Sequence, residues 1–223
     1  MKRQFLITGD GSITIHLPEW NEQYHSKHGA IAEARHVFLE AGLHKCLHTF
    51  PDQTINILEI GFGTGLNAFL TLIEAQNTNV EVAYTGVEAY PVVLEEVEKL
   101  NYTELVAGAT ELFRQMHELP WEQPNELAMG FRLIKQRKFF SEINEKEHYH
   151  CIYFDAFGPR VQPELWTEEI FVKMFRALVA GGVMVTYSAK GSVRRAMQSV
   201  GFKVERLPGP PGKREMLRAV KPS

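Results

Sequence analysis

The chain has 223 residues, enough for one large domain or one domain with an elaboration, and at 44% hydrophobic residues it can build a core without disulfide or metal staples. Its two cysteines, Cys46 and Cys151, lie far apart with no CxxC pairing, which excludes a disulfide scaffold or zinc ribbon and points to a reducing compartment. A formal net charge of −3 excludes a protein that coats nucleic acid indiscriminately, yet leaves room for a local basic face.

Residues 4–17 alternate apolar and polar about Gly9-Asp10-Gly11-Ser12, which predicts a hairpin. From Gly29 to Thr49, Ile31, Ala34, Phe38, Leu39, Leu43 and Leu47 fall near helical spacing, with Gly42 as a division into two helices. A strand over 54–60 breaks at Gly61-Phe62-Gly63-Thr64-Gly65 and gives way to a helix over 66–75. A second strand covers 80–87, and a helix over 91–100 starts with Pro91 near its first turn. Residues 101–130 read as a helical, irregular insertion broken by Pro120 and Pro124. Strands follow over 131–140 and 150–155, then a helix over 164–179 that Gly181-Gly182 stops, then a fifth strand over 183–187. A helix over 192–200 and two strands, 202–207 and 215–220, complete the chain. The loop joining these last strands is too short for a helix, so that pair must be antiparallel. Alternating strands and helices predict a mostly parallel sheet covered on both faces. We therefore expect an α/β domain over 51–223, with an N-terminal hairpin and helical extension over 1–50. With no run of about 18 apolar residues and no signal peptide, a cytoplasmic protein is expected.

The chemistry concentrates at strand ends. LEIGFGTGLN spaces its glycines as G-x-G-x-G, whereas a dinucleotide fingerprint needs G-x-G-x-x-G, and position 66 is Leu. Glu59 before the loop suits an ammonium group, so the loop fits a ligand with amino acid and nucleoside parts. Glu88, at the end of the second strand, can accept both hydroxyls of a ribose. Glu142 reads either as an acceptor for an adenine amino group or as a solvated acid in an acid-rich loop. Asp155 ends the fourth strand, beside the glycine loop, and Phe157-Gly158-Pro159 forms a stiff aromatic turn for a flat base. Residues 187–223 hold nine basic residues and two acids, which reads as a phosphate-contacting face or as scattered surface charge. His44, Cys46 and His48 mimic a metal cluster, but on a helix only 44 and 48 share a face, and no metal is expected.

LEIGFGTGLN, VEAYP, YFDAFGP, PELWTEEIF and SVRRAMQSVGF…GKREML, with YHSKHGAIAEARHVFLEAGL upstream, together resemble the methyltransferase domain of the MnmC family of tRNA wobble-uridine modification enzymes. The resemblance spans about residues 10–220. It implies a Rossmann-like class I fold with a seven-stranded, mostly parallel sheet and an antiparallel C-terminal strand. It implies S-adenosyl-L-methionine as cofactor, and methylation of the primary amine of 5-aminomethyl-(2-thio)uridine in tRNA. Residue by residue, it places Glu59, Gly61, Gly63, Gly65 and Asn67 in the cofactor loop, Glu88 at the ribose and Asp155 beside the reacting amine; Phe62 and Glu142 are further candidate cofactor contacts. Phe157 would stack the flipped-out uridine. Lys190, Arg194, Arg195, Lys213 and Arg214 would hold phosphates of the anticodon arm.

The chain resembles the stand-alone methyltransferases, without the oxidase domain that makes the amine, so other enzymes are expected to supply it. No obligatory protein partner is evident. A carboxylate of ordinary pKa is a poor base for an alkyl ammonium, which favours an orienting and electrostatic role for Asp155 over full proton abstraction. The rival expectations are aminopropyl transfer to a polyamine on the same fold and a catalytically silent RNA-binding relative. The segment around Tyr24 and Ser26 reads either as a cover over the cofactor or as packing on the sheet.

Overall fold

The computed structural model describes residues 2–106 and 109–223; positions 107 and 108 of the expected insertion lie outside the described residues. The expected hairpin forms from β1 (Gln4–Ile7) and β2 (Ile13–Leu17), and a two-residue strand, β3 (Glu22–Gln23), extends it to a three-stranded sheet. The next segment is one unbroken helical run through Ala30–Ala34, Arg35–Leu43 and His44–Thr49. Its middle section is π-helical. Gly42 therefore does not divide two helices. Its role is close approach: a Cβ there would stand 3.0 Å from Val185 Cγ2 and 3.2 Å from Cys151 Sγ and Tyr153 Cε1. The missing side chain lets this helix lie directly on the sheet.

The main sheet contains β4 (Ile55–Ile60), β5 (Val82–Val87), β6 (Asn125–Ala128), β7 (Phe131–Gln136), β8 (Tyr149–Phe154), β9 (Leu178–Thr186), β10 (Lys203–Pro208) and β11 (Glu215–Val220). Their spatial order is β10-β11-β9-β8-β4-β5-β7-β6. The pairs from β9 through β8, β4 and β5 to β7 are parallel, and β11 is antiparallel to both β9 and β10. Eight strands replace the expected seven because β6 adds an antiparallel edge to β7. Four residues with one buried apolar side chain, Leu127, show too little alternation to be read as a strand.

Two other expectations are corrected. The helix expected over 91–100 shrinks to Leu94–Val97, because Val93 is extended and caps it. The glycines 181 and 182 do not stop a helix: the helix Glu168–Ala177 ends at Leu178, where β9 already begins. They sit inside β9, where the register against β8 shifts between Tyr149–Leu178 and Cys151–Val183.

Alternate residues of the central strands feed two cores. Ile57, Cys151 and Tyr153 face the N-terminal helix and the helix Leu66–Thr78, with Phe38 and Phe69. Leu58, Ile60, Ile152 and Phe154 face the helix Glu168–Ala177, with Phe171 and Met174. Burial on both faces explains why β8 is apolar apart from His150. The N-terminal extension shares the first core through Ile15, Leu17 and Val37. Gly42→Val is expected to lower stability by about 1–3 kcal/mol through overpacking against β8 and β9. Thermal or urea denaturation would check this; a neutral or stabilising effect would contradict the packing role.

Candidate active site

Register alone brings the strand-end acids together. In β4 and its parallel neighbours, Ile60 pairs with Val87 on one side and Phe154 on the other. The next residues are Gly61, Glu88 and Asp155, so the loop after β4 is flanked by both carboxylates at the carboxyl rim of the sheet. Three left-handed glycines shape it, with φ of 90° at Gly61, 50° at Gly63 and 74° at Gly65. A Cβ at Gly61 would stand 2.8 Å from the Asp155 carbonyl oxygen. Gly65 starts the helix Leu66–Thr78 and packs inward, where a Cβ would meet Met116 and His117 at 2.7 and 2.9 Å.

A cavity of about 1950 Å³ opens above this rim. A single small-molecule site usually takes about 300–1,000 Å³, so there is room for a cofactor and part of a second substrate. Gly61, Phe62, Gly63, Asn67, Glu88, Asp155, Phe157, Lys190, Lys213 and Arg214 line it. Phe62 reaches it while packing its ring edge-on to Trp121, 6.2 Å away, and over Gly86. Glu88 already clasps the loop: its carboxylate accepts the Gly63 N–H at 3.1 Å and the Tyr90 N–H at 2.9 Å.

Glu59 does not line the cavity. It is fully buried beneath it, where one oxygen accepts from Asn67 Nδ2 at 2.8 Å and the other from the Tyr84 hydroxyl at 2.9 Å. Burial pushes its carboxyl well above the ordinary range. A strand-end side chain that alternates inward cannot meet a ligand on the rim, so Glu59 supports Asn67 instead. Asn67 Nδ2 also donates to Asp155 Oδ2 at 2.9 Å. With both acids on its amide nitrogen, Asn67 leaves its Oδ1 buried and without a partner at the cavity wall. Burial, reinforced by the charge of Glu33, raises Asp155 to about 7; the Asn67 hydrogen bond and Lys213 pull the other way.

Of its two readings, Glu142 takes that of a solvated acid. It is exposed, and its carboxylate accepts the Phe139 N–H at 2.6 Å, so it closes a short 3₁₀ turn while Phe139, Phe140 and Ser141 face the cavity. The DAFGP turn is held from below: Trp166 Nε1 donates to the Phe157 carbonyl and the Tyr187 hydroxyl to the Ala156 carbonyl, each at 2.8 Å. Phe157 meets Tyr24 and Trp20 edge-to-face at 5.0 and 5.5 Å. The segment around Tyr24 thus forms a wall of the cavity, and Tyr24 packs against Gly63. Trp20, Glu33 and Tyr187 are wall residues that the sequence reading did not single out.

The basic residues divide. Lys190 and Arg214 stand at the cavity, whereas Arg194 and Arg195, on the helix Gly191–Ser199, do not line it. Lys213 is not a free phosphate ligand: it pairs with Glu33 and lies 3.9 Å from the centre of the Tyr187 ring. Arg206, Arg218 and Lys221 are likewise engaged, by Glu215, Glu205 and Glu147.

Among solved structures, the chain is similar to MnmC2 from Aquifex aeolicus, with a TM-score of 0.77 and 27% identity over 98% of this chain and 70% of that one. Spermidine synthase from Thermotoga maritima shares the fold at a TM-score of 0.56 and 14% identity, covering 99% of this chain and 72% of that one. Among curated proteins, the chain is 26% identical over 208 residues to the tRNA 5-methylaminomethyl-2-thiouridine biosynthesis bifunctional protein MnmC of Hydrogenovibrio crunogenus, covering 88% of this chain and 31% of that protein. It spans about a third of the length of the curated relatives it matches.

The residues present fit S-adenosyl-L-methionine. The orphaned Asn67 Oδ1 can accept from its ammonium, Glu88 can accept from its ribose, and Gly61 and Gly63 leave the backbone open for close approach. Gly61→Ala, strained at its positive φ and driven against Asp155, is expected to weaken cofactor binding at least tenfold by calorimetry. Unchanged affinity would remove the loop from the site. A family model for S-adenosyl-L-methionine-dependent methyltransferases matches residues 95–222, downstream of the glycine loop. With a loop that fits the cofactor in one half of the chain and the family pattern over the other, the chain belongs to the S-adenosyl-L-methionine-dependent methyltransferases.

Proposed function

We propose that this methyltransferase acts on the primary amine of 5-aminomethyl-(2-thio)uridine at the wobble position of tRNA, giving the 5-methylaminomethyl form. The observation that carries this reading is Asp155: a carboxyl raised to about 7, at the wall of a cavity large enough for cofactor and nucleoside together. The name of the curated relatives and the 27% identity to MnmC2 support the substrate class.

When bound, the cofactor supplies a methyl group on a positively charged sulfur. The chain must present a neutral amine, because an alkyl ammonium has no lone pair. With Lys as the model amine, proton transfer to an ordinary carboxylate is uphill by about 9 kcal/mol, and to a carboxyl near 7 by about 5 kcal/mol. The premise of an ordinary carboxylate therefore does not hold for Asp155, and proton acceptance joins orientation as its role. Asp155 takes one proton from the ammonium, leaves the nitrogen lone pair free and later releases that proton to solvent. Asn67 Nδ2 fixes the carboxylate, while Phe157 and Tyr24 offer ring surface for the uracil. Binding in this wall excludes water and aligns the reacting atoms.

Transfer of labelled methyl to tRNA bearing the aminomethyl uridine, with spermidine and putrescine as controls, tests the reading. Methylation of neither tRNA nor its nucleoside would overturn it, and transfer of an aminopropyl group to polyamine would favour the rival chemistry. For the wild type, kcat/KM is expected to rise with pH through about 7 as Asp155 loses its proton. Asp155→Asn should lose that limb and lower kcat by about 10²-fold or more.

We assign phosphate contacts to two of the basic side chains that line the cavity, Lys190 and Arg214. Lys190→Gln with Arg214→Gln is expected to weaken tRNA binding and to reduce the slope of log affinity against log salt by about 1–2. An unchanged slope would place the RNA elsewhere.

A further inference from the structure

Asp155 is faced from every side by groups that carry or can carry charge. Tyr84 comes from β5 and Glu59 from β4, beneath Asn67. Tyr187 follows β9. Glu33 comes from the N-terminal helix and Lys213 from the loop between β10 and β11. Only one of these groups is a cation. Lys213 Nζ donates to Glu33 Oε1 and rests on the Tyr187 ring, and it makes no ion pair with Asp155. Glu33 is itself buried, 6% exposed, and its other oxygen accepts the Ser26 N–H at 2.9 Å. A half-buried lysine that faces two carboxylates pairs with the more buried one, Glu33, because leaving that ion unpaired is the costlier choice. The Ser26 N–H fixes Glu33 for that role, and the ring fixes the ammonium.

We propose that Glu33 and Lys213 are positioning residues for methyl transfer: Glu33 holds the Lys213 ammonium away from Asp155, so that Asp155 stays free to take the proton of the substrate amine. This rests on the reading of the site given above. Were Lys213 to pair with Asp155 directly, the carboxylate would be held ionised, a weaker base and blocked by a cation. Were Lys213 absent, the unpaired charge of Glu33 would keep Asp155 protonated and unable to accept. The pair thus sets the working charge of the carboxylate from both directions. It is made by residues 180 positions apart, and so it forms only once the N-terminal helix has docked.

The two halves of the pair predict opposite effects, which a merely structural role would not. The chain has three aspartates, Asp10, Asp52 and Asp155, so carbon-13 labelling of aspartate allows the Asp155 carboxyl to be titrated by NMR in the whole protein. Asp10, held down to about 2 by its hydrogen bonds, does not overlap with it. Glu33→Gln is expected to lower the Asp155 midpoint by about one pH unit, and Lys213→Gln to raise it by about as much. The double variant E33Q/K213Q loses one charge of each sign and should return close to wild type. The acid limb of kcat/KM should move with the midpoint in each variant. Unmoved midpoints in both single variants, or shifts in the same direction, would overturn the proposal. Failure of the wild type to methylate tRNA would instead sink the substrate reading, and it is a separate measurement.

Discussion

Two carboxylates share one amide at the centre of this protein. Asn67 Nδ2 donates to Glu59 from the strand below and to Asp155 from the neighbouring strand, 2.8 and 2.9 Å away. Two acids at such range in a buried place repel each other unless protons and donors compensate. The amide supplies the donor, and burial holds the carboxyls above their ordinary range. Asn67 can stand there because the left-handed turns at Gly61, Gly63 and Gly65 start the following helix directly over the rim. The same arrangement leaves Oδ1 of Asn67, a residue of the cavity wall, as a buried, unused acceptor. The proposed cofactor cradle and the proposed proton acceptor are therefore one construction, joined through a single side chain.

The rest of the chain encloses that construction. A Rossmann-like sheet offers its rim to solvent, and a rim open to water would not raise a carboxyl as far as Asp155 is raised. The N-terminal segment supplies the missing walls: Trp20 and Tyr24 against Phe157, and Glu33 beside Asp155. Arg3 ties the segment's start to Glu96 on the far side of the cavity, and Asn101 accepts the Ile13 N–H at 2.8 Å. At the other end of the chain, the loop between β10 and β11 contributes Lys213 and Arg214. Charge around Asp155 is thus governed by the two ends of the chain, while the strands between them fix position.

Much of the fold was legible because its signals are local. The glycine pattern after an apolar run, Glu88 at a strand end and the stiff DAFGP turn each sit within a few residues of the element that presents them. Parallel pairing then brings Gly61, Glu88 and Asp155 together without further information. Short or composite elements were harder to read. β6 has four residues, and β9 carries two glycines through a bulge that looks like a helix stop. Gly42 looks like a break and is a contact, because only the packed sheet reveals what stands 3 Å from it.

Sequence by itself determined the order of elements, the glycine-rich strand–loop–helix, and the acids at the strand ends, since each follows from backbone preference and alternation along a short stretch. Tertiary structure alone decided what those acids do. Glu59 turned out to face inward and Glu142 to close a turn, because a side chain's direction is set by the pleat and the turn it occupies. Lys213 became the partner of Glu33, and Asp155 a carboxyl near 7, because desolvation and ion pairing arise between segments that meet only after folding.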